Sequence, residues 1–233
     1  MRIGVFGGTF NPIHYGHLRA AEEVREMFAF DKVLFVPAGT PPLKTEDLTD
    51  ARRRFEMTRI AIAGNSAFEV LDIECKKPKR SYTVETLEAL LKFYGRAELY
   101  FMLGIDAFLD IPNWWMPEKL VSMVNFTVLA RPGRSFGDLL LSPYMDVERE
   151  ILKELDSRDG GSLTVGLKSR KEAVLVKITP LDISSSGIRR SIRAGLSIKY
   201  LLPENVESFI ISHKLYSPVT LKTGIEAKGR EDL

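Results

Sequence analysis

Two histidines three residues apart, in a chain that has only three, mark the first place where chemistry could occur. His14 and His17 lie in GGTFNPIHYGHL, residues 7–18. On one helical turn an i, i+3 pair points the same way, and two imidazoles can donate hydrogen bonds to phosphate oxygens. Gly7 and Gly8 let a backbone approach a nucleotide closely. A helix that follows the loop adds its N-terminal amides and its dipole, which favour phosphate. Two other readings compete. One is a tight turn with incidental histidines. The other is a zinc pair, since His-x-x-His can chelate. It would need a third ligand from Cys75, His213 or a carboxylate, and nothing is spaced to supply one. The loop is neither G-x-G-x-x-G nor a P-loop, and no G-x-S-x-G elbow occurs.

The elements that must position this loop follow from periodicity. Residues 2–6 and 32–36 are short apolar runs bounded by Gly or Pro, as buried strands are. Residues 18–29 between them carry apolar positions at helical spacing. The pattern continues with a helix at 51–63, a strand at 68–73, a helix at 83–94 and strands at 98–103 and 125–130. Alternation of this kind predicts an α/β fold with a doubly wound parallel sheet, whose ligands bind beyond the carboxyl ends of the strands. Arg53 and Arg54 open the 51–63 helix and read as a solvated face. After Pro132-Gly133 the alternation stops. A helix is expected at 145–156, a turn at Asp159-Gly160-Gly161, a strand at 173–178, and short helices at 186–194 and 204–212. Residues 136–172 have no place in the pattern and read as an insertion. The expected organisation is one domain over 1–217 with that insertion, then a polar tail at 218–233.

Composition narrows the function classes. The 45% hydrophobic and 27% charged fractions are those of an ordinary globular protein. Lys+Arg total 33 against Asp+Glu 31, a net charge of +2, so no global basic field exists to hold long nucleic acid. One cysteine, Cys75, permits no intramolecular disulfide and no Cys-rich metal site. No apolar run reaches the roughly 18 residues that suggest a membrane span, and MRIGVFGG lacks a signal-peptide apolar region. A cytoplasmic protein without membrane partners is expected.

HYGH resembles the H-x-G-H signature of the nucleotidylyltransferase superfamily, and the longer string GGTFNPIHYGHL closely resembles bacterial nicotinate-nucleotide adenylyltransferases. The match extends to VPAGTPPLK (36–44), RSYTVETL (80–87), LGIDAFLDIPNWW (103–115), ARPG (130–133), DISSSGIRR (182–190) and LPENVESFIISHKLYS (202–217). It thus covers about residues 1–133 and 180–217. Leu43 stands where the family usually has His, and Ser186 where it usually has Thr. The resemblance implies a Rossmann-like sheet of the nucleotidylyltransferase type. It assigns Gly7, Gly8, Thr9, Phe10, His14, His17, Ile183, Ser185, Ser186 and Arg189 to ATP. Lys44, Tyr82, Thr83, Asp106, Trp114 and Arg131 fall to the acceptor, Lys44 near its phosphate. Asp106 can hydrogen-bond a ribose hydroxyl, and Trp114 can stack on a pyridine ring. Two adjacent tryptophans rarely both face a core, so one of them is expected to line a surface or pocket. Taken alone, Ser81 or Thr83 could cap the following helix. His213 reads as structural.

The implied reaction joins nicotinate mononucleotide to the AMP half of ATP and releases pyrophosphate, a step of NAD biosynthesis. His14, His17 and Arg189 would be the catalytic residues, and magnesium would accompany ATP without a protein cage, mainly through phosphates. The resemblance allows a homo-oligomer. Pantetheine-phosphate adenylyltransferase or a cytidylyltransferase would share the superfamily motif. A regulatory nucleotide-binding module without chemistry is an alternative of another class.

Overall fold

The computed structural model describes residues 1–40, 47–77, 80–130, 133–158 and 160–217. The chain begins with β1 (Arg2–Gly8), α1 (Tyr15–Met27), β2 (Lys32–Pro37), α2 (Ala51–Ile62), β3 (Phe68–Val70) and α3 (Thr83–Tyr94). It continues through β4 (Glu98–Gly104), α4 (Ile105–Leu109), α5 (Pro117–Met123) and β5 (Asn125–Leu129). Then come α6 (Arg149–Ser157), β6 (Gly161–Gly166), β7 (Glu172–Lys177), α7 (Ser185–Arg193) and α8 (Glu204–Ser212). The strands form a seven-stranded sheet in the order β3-β2-β1-β4-β5-β7-β6. All pairings are parallel except β6 with β7.

The apolar runs become central strands because both faces of the sheet are covered. Ile3, Val5, Leu34, Phe101 and Leu103 join one apolar cluster with α3 to α6. Phe6, Val33, Phe35 and Met102, their neighbours along the same strands, join another with α1, α2, α7 and α8. The chain runs outward from β1 to β3, then returns to the other side of β1 as β4. That reversal makes a switch point between the carboxyl ends of β1 and β4, the place where an open α/β sheet binds ligands.

Three expectations are adjusted. The first helix starts at Tyr15 rather than residue 18, so His17 lies inside α1 and His14 is its N-cap. Gly7 and Gly8 end β1 instead of opening the loop. Residues 136–172 supply a 3-10 turn at Phe136–Leu141, α6 and the edge strand β6. The parallel alternation stops there because β6 enters antiparallel on β7, pairing Leu163 with Leu175. Among the described residues no helix is long and apolar enough to cross a membrane.

Candidate active site

Every site residue expected from the sequence and described by the structure lines one cleft of about 2070 Å³ over the switch point. Lys44, Arg131 and the departing Leu43 lie outside the described residues.

The loop after β1 sets the floor. The His14 and His17 rings face each other with centroids 3.8 Å apart and 31° between planes. Phe10 is buried with φ +46° and meets the His17 ring edge-on at 5.1 Å. An aromatic wedge therefore holds His17 from below. Gly16 stands between the histidines because a Cβ there would lie 3.0 Å from His14 Nδ1 and 3.6 Å from the Ile183 carbonyl. The first contact is tighter than ordinary packing, so a side chain would push the His14 ring aside, while the second is an ordinary contact.

The N-terminus of α7 forms the opposite wall. Ser184, which the sequence reading did not single out, is its N-cap, and the Ser184 hydroxyl accepts from Gly187 N at 3.1 Å. Ser185 and Ser186 are thereby the first helical residues, at the positive end of the dipole. The Ser185 hydroxyl donates to Pro12 O at 2.8 Å, and Arg189 Nη1 donates to Asn11 O at 2.9 Å. Both bonds dock α7 onto the histidine loop. Arg189 Nε is buried with no hydrogen-bond partner among the described residues.

Asn11, also missed, is the knot of this loop. Its Oδ1 accepts from Tyr216 OH at 2.8 Å and Thr49 N at 3.3 Å, and its Nδ2 donates to Asp47 O at 2.8 Å. Burial pushes the Tyr216 phenol up to about 12, so it remains a donor at neutral pH. Asp47 in turn pairs with Arg193 of α7 at 2.7 Å.

The far end of the cleft is built on α3 and β4. Tyr82 is the N-cap of α3 and makes no side-chain cap, so neither Ser81 nor Thr83 caps it as the sequence suggested. Ser81 is buried and donates to Glu74 O at 3.5 Å. Glu74 accepts from Thr86 in the first turn at 2.8 Å, and burial raises its pKa from the ordinary carboxylate range. Both tryptophans line the cleft, as expected of at least one, and Trp114 also packs against the core. Trp114 donates to Asp110 at 2.9 Å and meets Phe101 edge-on at 6.4 Å. Trp115 is 47% exposed and lies against Tyr82 with centroids 4.8 Å apart. Asp106 opens α4 and pairs through Oδ1 with Arg134 Nε at 2.8 Å.

Arg54 is the clearest correction. The sequence placed it on a solvated face, yet it is fully buried, while Arg53 is exposed. The signal was present: Arg54 shares the buried stripe of α2 with Met57, Thr58 and Ile62, at spacings of one helical turn. Burial lowers its pKa, with Glu74 and Asp50 acting in the opposite sense. His213 ends α8, exposed and stacked on Phe209 at 4.0 Å, and does not line the cleft. Cys75 is half-buried, its thiol pushed up to about 11 by burial. Among the described residues no three His, Cys, Asp or Glu side chains gather to hold a metal. Of the cleft carboxylates, Asp47, Asp106 and Asp110 are engaged with protein donors, and Asp182, just before α7, also lines the cleft.

The cytidylyltransferase-like family model matches residues 5–191. A "probable nicotinate-nucleotide adenylyltransferase" of Geobacter sulfurreducens is 41% identical over 223 residues, covering 93% of this chain and 99% of that protein. One from Desulfatibacillum aliphaticivorans is 42% identical, covering 93% and 100%. Among solved structures, Plasmodium falciparum nicotinic acid mononucleotide adenylyltransferase complexed with NaAD superposes with TM-score 0.70. It is 23% identical, over 92% of this chain and 97% of that one.

Proposed function

From the premise that the chain belongs to the nicotinate-nucleotide adenylyltransferases of the cytidylyltransferase-like family, we propose how its cleft carries the reaction. The enzyme transfers the adenylyl group of ATP to nicotinate mononucleotide, giving nicotinate adenine dinucleotide and pyrophosphate. The observation that carries the assignment of residues is the convergence of two phosphate motifs on one cleft. The stacked pair His14 and His17 faces the N-terminus of α7, docked 2.8 Å away through Ser185 on Pro12.

An oxygen of the acceptor phosphate attacks the α-phosphorus of ATP. A phosphorus–oxygen bond forms there as the bond to the bridging β-phosphate oxygen breaks, and its electrons leave on pyrophosphate. The acceptor phosphate is already a nucleophile near neutral pH, so alignment and neutralisation of charge carry the rate. His14 and His17 serve the α-phosphate and the leaving group. The amides of Ser185 and Ser186 and the side chain of Arg189 take the β- and γ-phosphates, and the buried Arg189 Nε supports this because a phosphate oxygen would satisfy it. Gly7, Gly8, Thr9, Phe10 and Ile183 shape the rest of the ATP side. Magnesium belongs with the ATP substrate, which it binds mainly through the phosphates. At the acceptor end the amides opening α3 at Tyr82 and Thr83 receive the pyridine carboxylate, and Trp114 flanks the ring. Asp106 offers its second oxygen to a ribose hydroxyl, and the family resemblance assigns Lys44 and Arg131, which lie outside the described residues, to the acceptor. A cytosolic setting suits substrates of this kind.

The test is pyrophosphate release from magnesium and ATP with a panel of acceptors: nicotinate mononucleotide, nicotinamide mononucleotide, phosphopantetheine and none. Release is expected with nicotinate mononucleotide and not without an acceptor. ATP binding with no pyrophosphate from any acceptor would leave a binding module in place of an enzyme. Release with phosphopantetheine alone would move the chain to the other branch of the superfamily.

A further inference from the structure

We propose that Arg54 is a positioning residue that sets the span between the loop holding ATP, after β1, and the residues after β2 that abut the acceptor wall of α3. The inference rests on the functional assignment above and adds a residue that neither substrate touches. Strands β1 and β2 pair in register up to Gly8 with Pro37. The next link between them is the bond from Ala38 N to Gly8 O, 2.8 Å long. Beyond it, among the described residues, no further backbone hydrogen bond joins the two strand ends. Arg54 takes over at that point. Its Nη1 donates to Thr9 O at 2.7 Å, its Nη2 to Gly39 O at 2.7 Å and its Nε to Thr49 O at 2.8 Å. Thr9 is the first residue past β1, Gly39 the second past β2, and Thr49 the residue before the α2 N-cap.

A guanidinium is a rigid planar fork of donors. With one Nη on each strand end, it fixes how far apart the two loops begin. Its charge is met by carbonyl dipoles: Arg54 forms no ion pair among the described residues, although it is fully exposed to none of the solvent. A buried cation held this way is costly beside an apolar side chain of similar volume, so packing alone does not account for it. Gly39 cannot yield on its other side, because a Cβ there would meet Glu74 O at 2.3 Å and Ser81 Oγ at 2.7 Å. Glu74 in turn reaches Gly39 N at 3.4 Å and Thr86 of α3 at 2.8 Å. The span set by Arg54 is therefore referred to the wall that carries Tyr82 and Thr83. A displacement of one loop against the other would misalign the attacking oxygen and the α-phosphorus without removing a contact to either substrate.

The experiment compares Arg54→Lys and Arg54→Met in the full chain, assayed well below each variant's thermal midpoint. Turnover and KM are measured for both substrates, and ATP affinity is measured without acceptor. Lysine keeps the charge but not the fork, while methionine keeps only the bulk. The expected result is a loss of kcat of roughly 10- to 100-fold in both variants, the scale of an ångström-sized misplacement, with ATP affinity changed by less than about threefold. An Arg54→Lys variant that is less heat-stable but turns over like the unaltered chain would overturn the proposal and leave Arg54 a stability residue. Loss of ATP affinity by the same factor as kcat would also overturn it, since the effect would then lie in one site and not in the span. If Arg54→Met does not fold, Arg54→Lys decides. The unaltered chain in the same assay separates this from failure of the functional reading, which would show as no pyrophosphate there at all.

Discussion

At the scale of single residues, His17 carries the sharpest expectation. Its ring stands on Phe10 and beside His14, and the core below is closed by Phe6 and Phe35. His17→Ala should remove a transition-state donor without opening that core. The expected effect is a fall in kcat of roughly 10²- to 10³-fold, as for other single donors to a developing charge, with the thermal midpoint little changed. Unchanged kcat would take His17 out of the catalytic set, and a variant that cannot fold would make it a core residue. The residue scale is also where the sequence was least complete. His14 and His17 were legible because two of three histidines fall in one loop. Asn11, Ser184 and Trp115 were not, because an amide, one serine among three and one tryptophan of two carry no local mark of their partners. Arg54 was misread because its charge was weighed above its place on the α2 stripe.

At the scale of elements, α7 is the part that, in the proposed reaction, would bring charge to the pyrophosphate. Its N-terminus is capped by Ser184 and docked by Ser185, so loss of Arg189 removes one of two docking bonds and leaves the cap and the other in place. Arg189→Ala should therefore act on the ligand more than on the fold. It should raise the KM for ATP and also slow turnover, because the leaving pyrophosphate gains charge in the transition state and loses a donor there. Steady-state kinetics in both substrates checks this. A change confined to the acceptor KM would show that α7 does not serve ATP. Elements as such were well anticipated: α3 and α8 lie where periodicity put them, and β4, β5 and β7 within a residue. The short α4, α5 and β6 were missed, since five to seven residues hold too few turns or alternations for a period to show.

At the scale of the whole molecule, the acceptor end of the cleft joins α3 to the ends of β2 and β4, and this arrangement argues for discrimination. The N-terminus of α3 carries no side-chain cap, so its amides and dipole are suited to an anion. Amides only donate. They match both oxygens of a nicotinate carboxylate but oppose the donors of a nicotinamide, and that mismatch rejects it. Stacking on Trp114, or on the Tyr82–Trp115 pair, favours both rings alike. A preference for nicotinate mononucleotide of about 10²-fold in kcat/KM is expected, equivalent to about 2.7 kcal/mol, and within reach of one misplaced amide in a partly dry pocket. Measuring kcat/KM for both mononucleotides under one set of conditions checks it. Equal values would show that α3 does not read the carboxylate.

The sequence by itself determined the alternation of strands and helices, the doubly wound class and the two motifs that the resemblance assigns to phosphate. These are local properties: periodicity along one element, and turn chemistry within a dozen residues. Only the tertiary structure decided that residues 173 positions apart, Pro12 and Ser185, face each other across one cleft. It also decided that β6 closes the sheet antiparallel and that Arg54 turns inward to three carbonyls. A charged side chain's burial depends on whether distant backbone acceptors converge on it, and no window of sequence contains those acceptors.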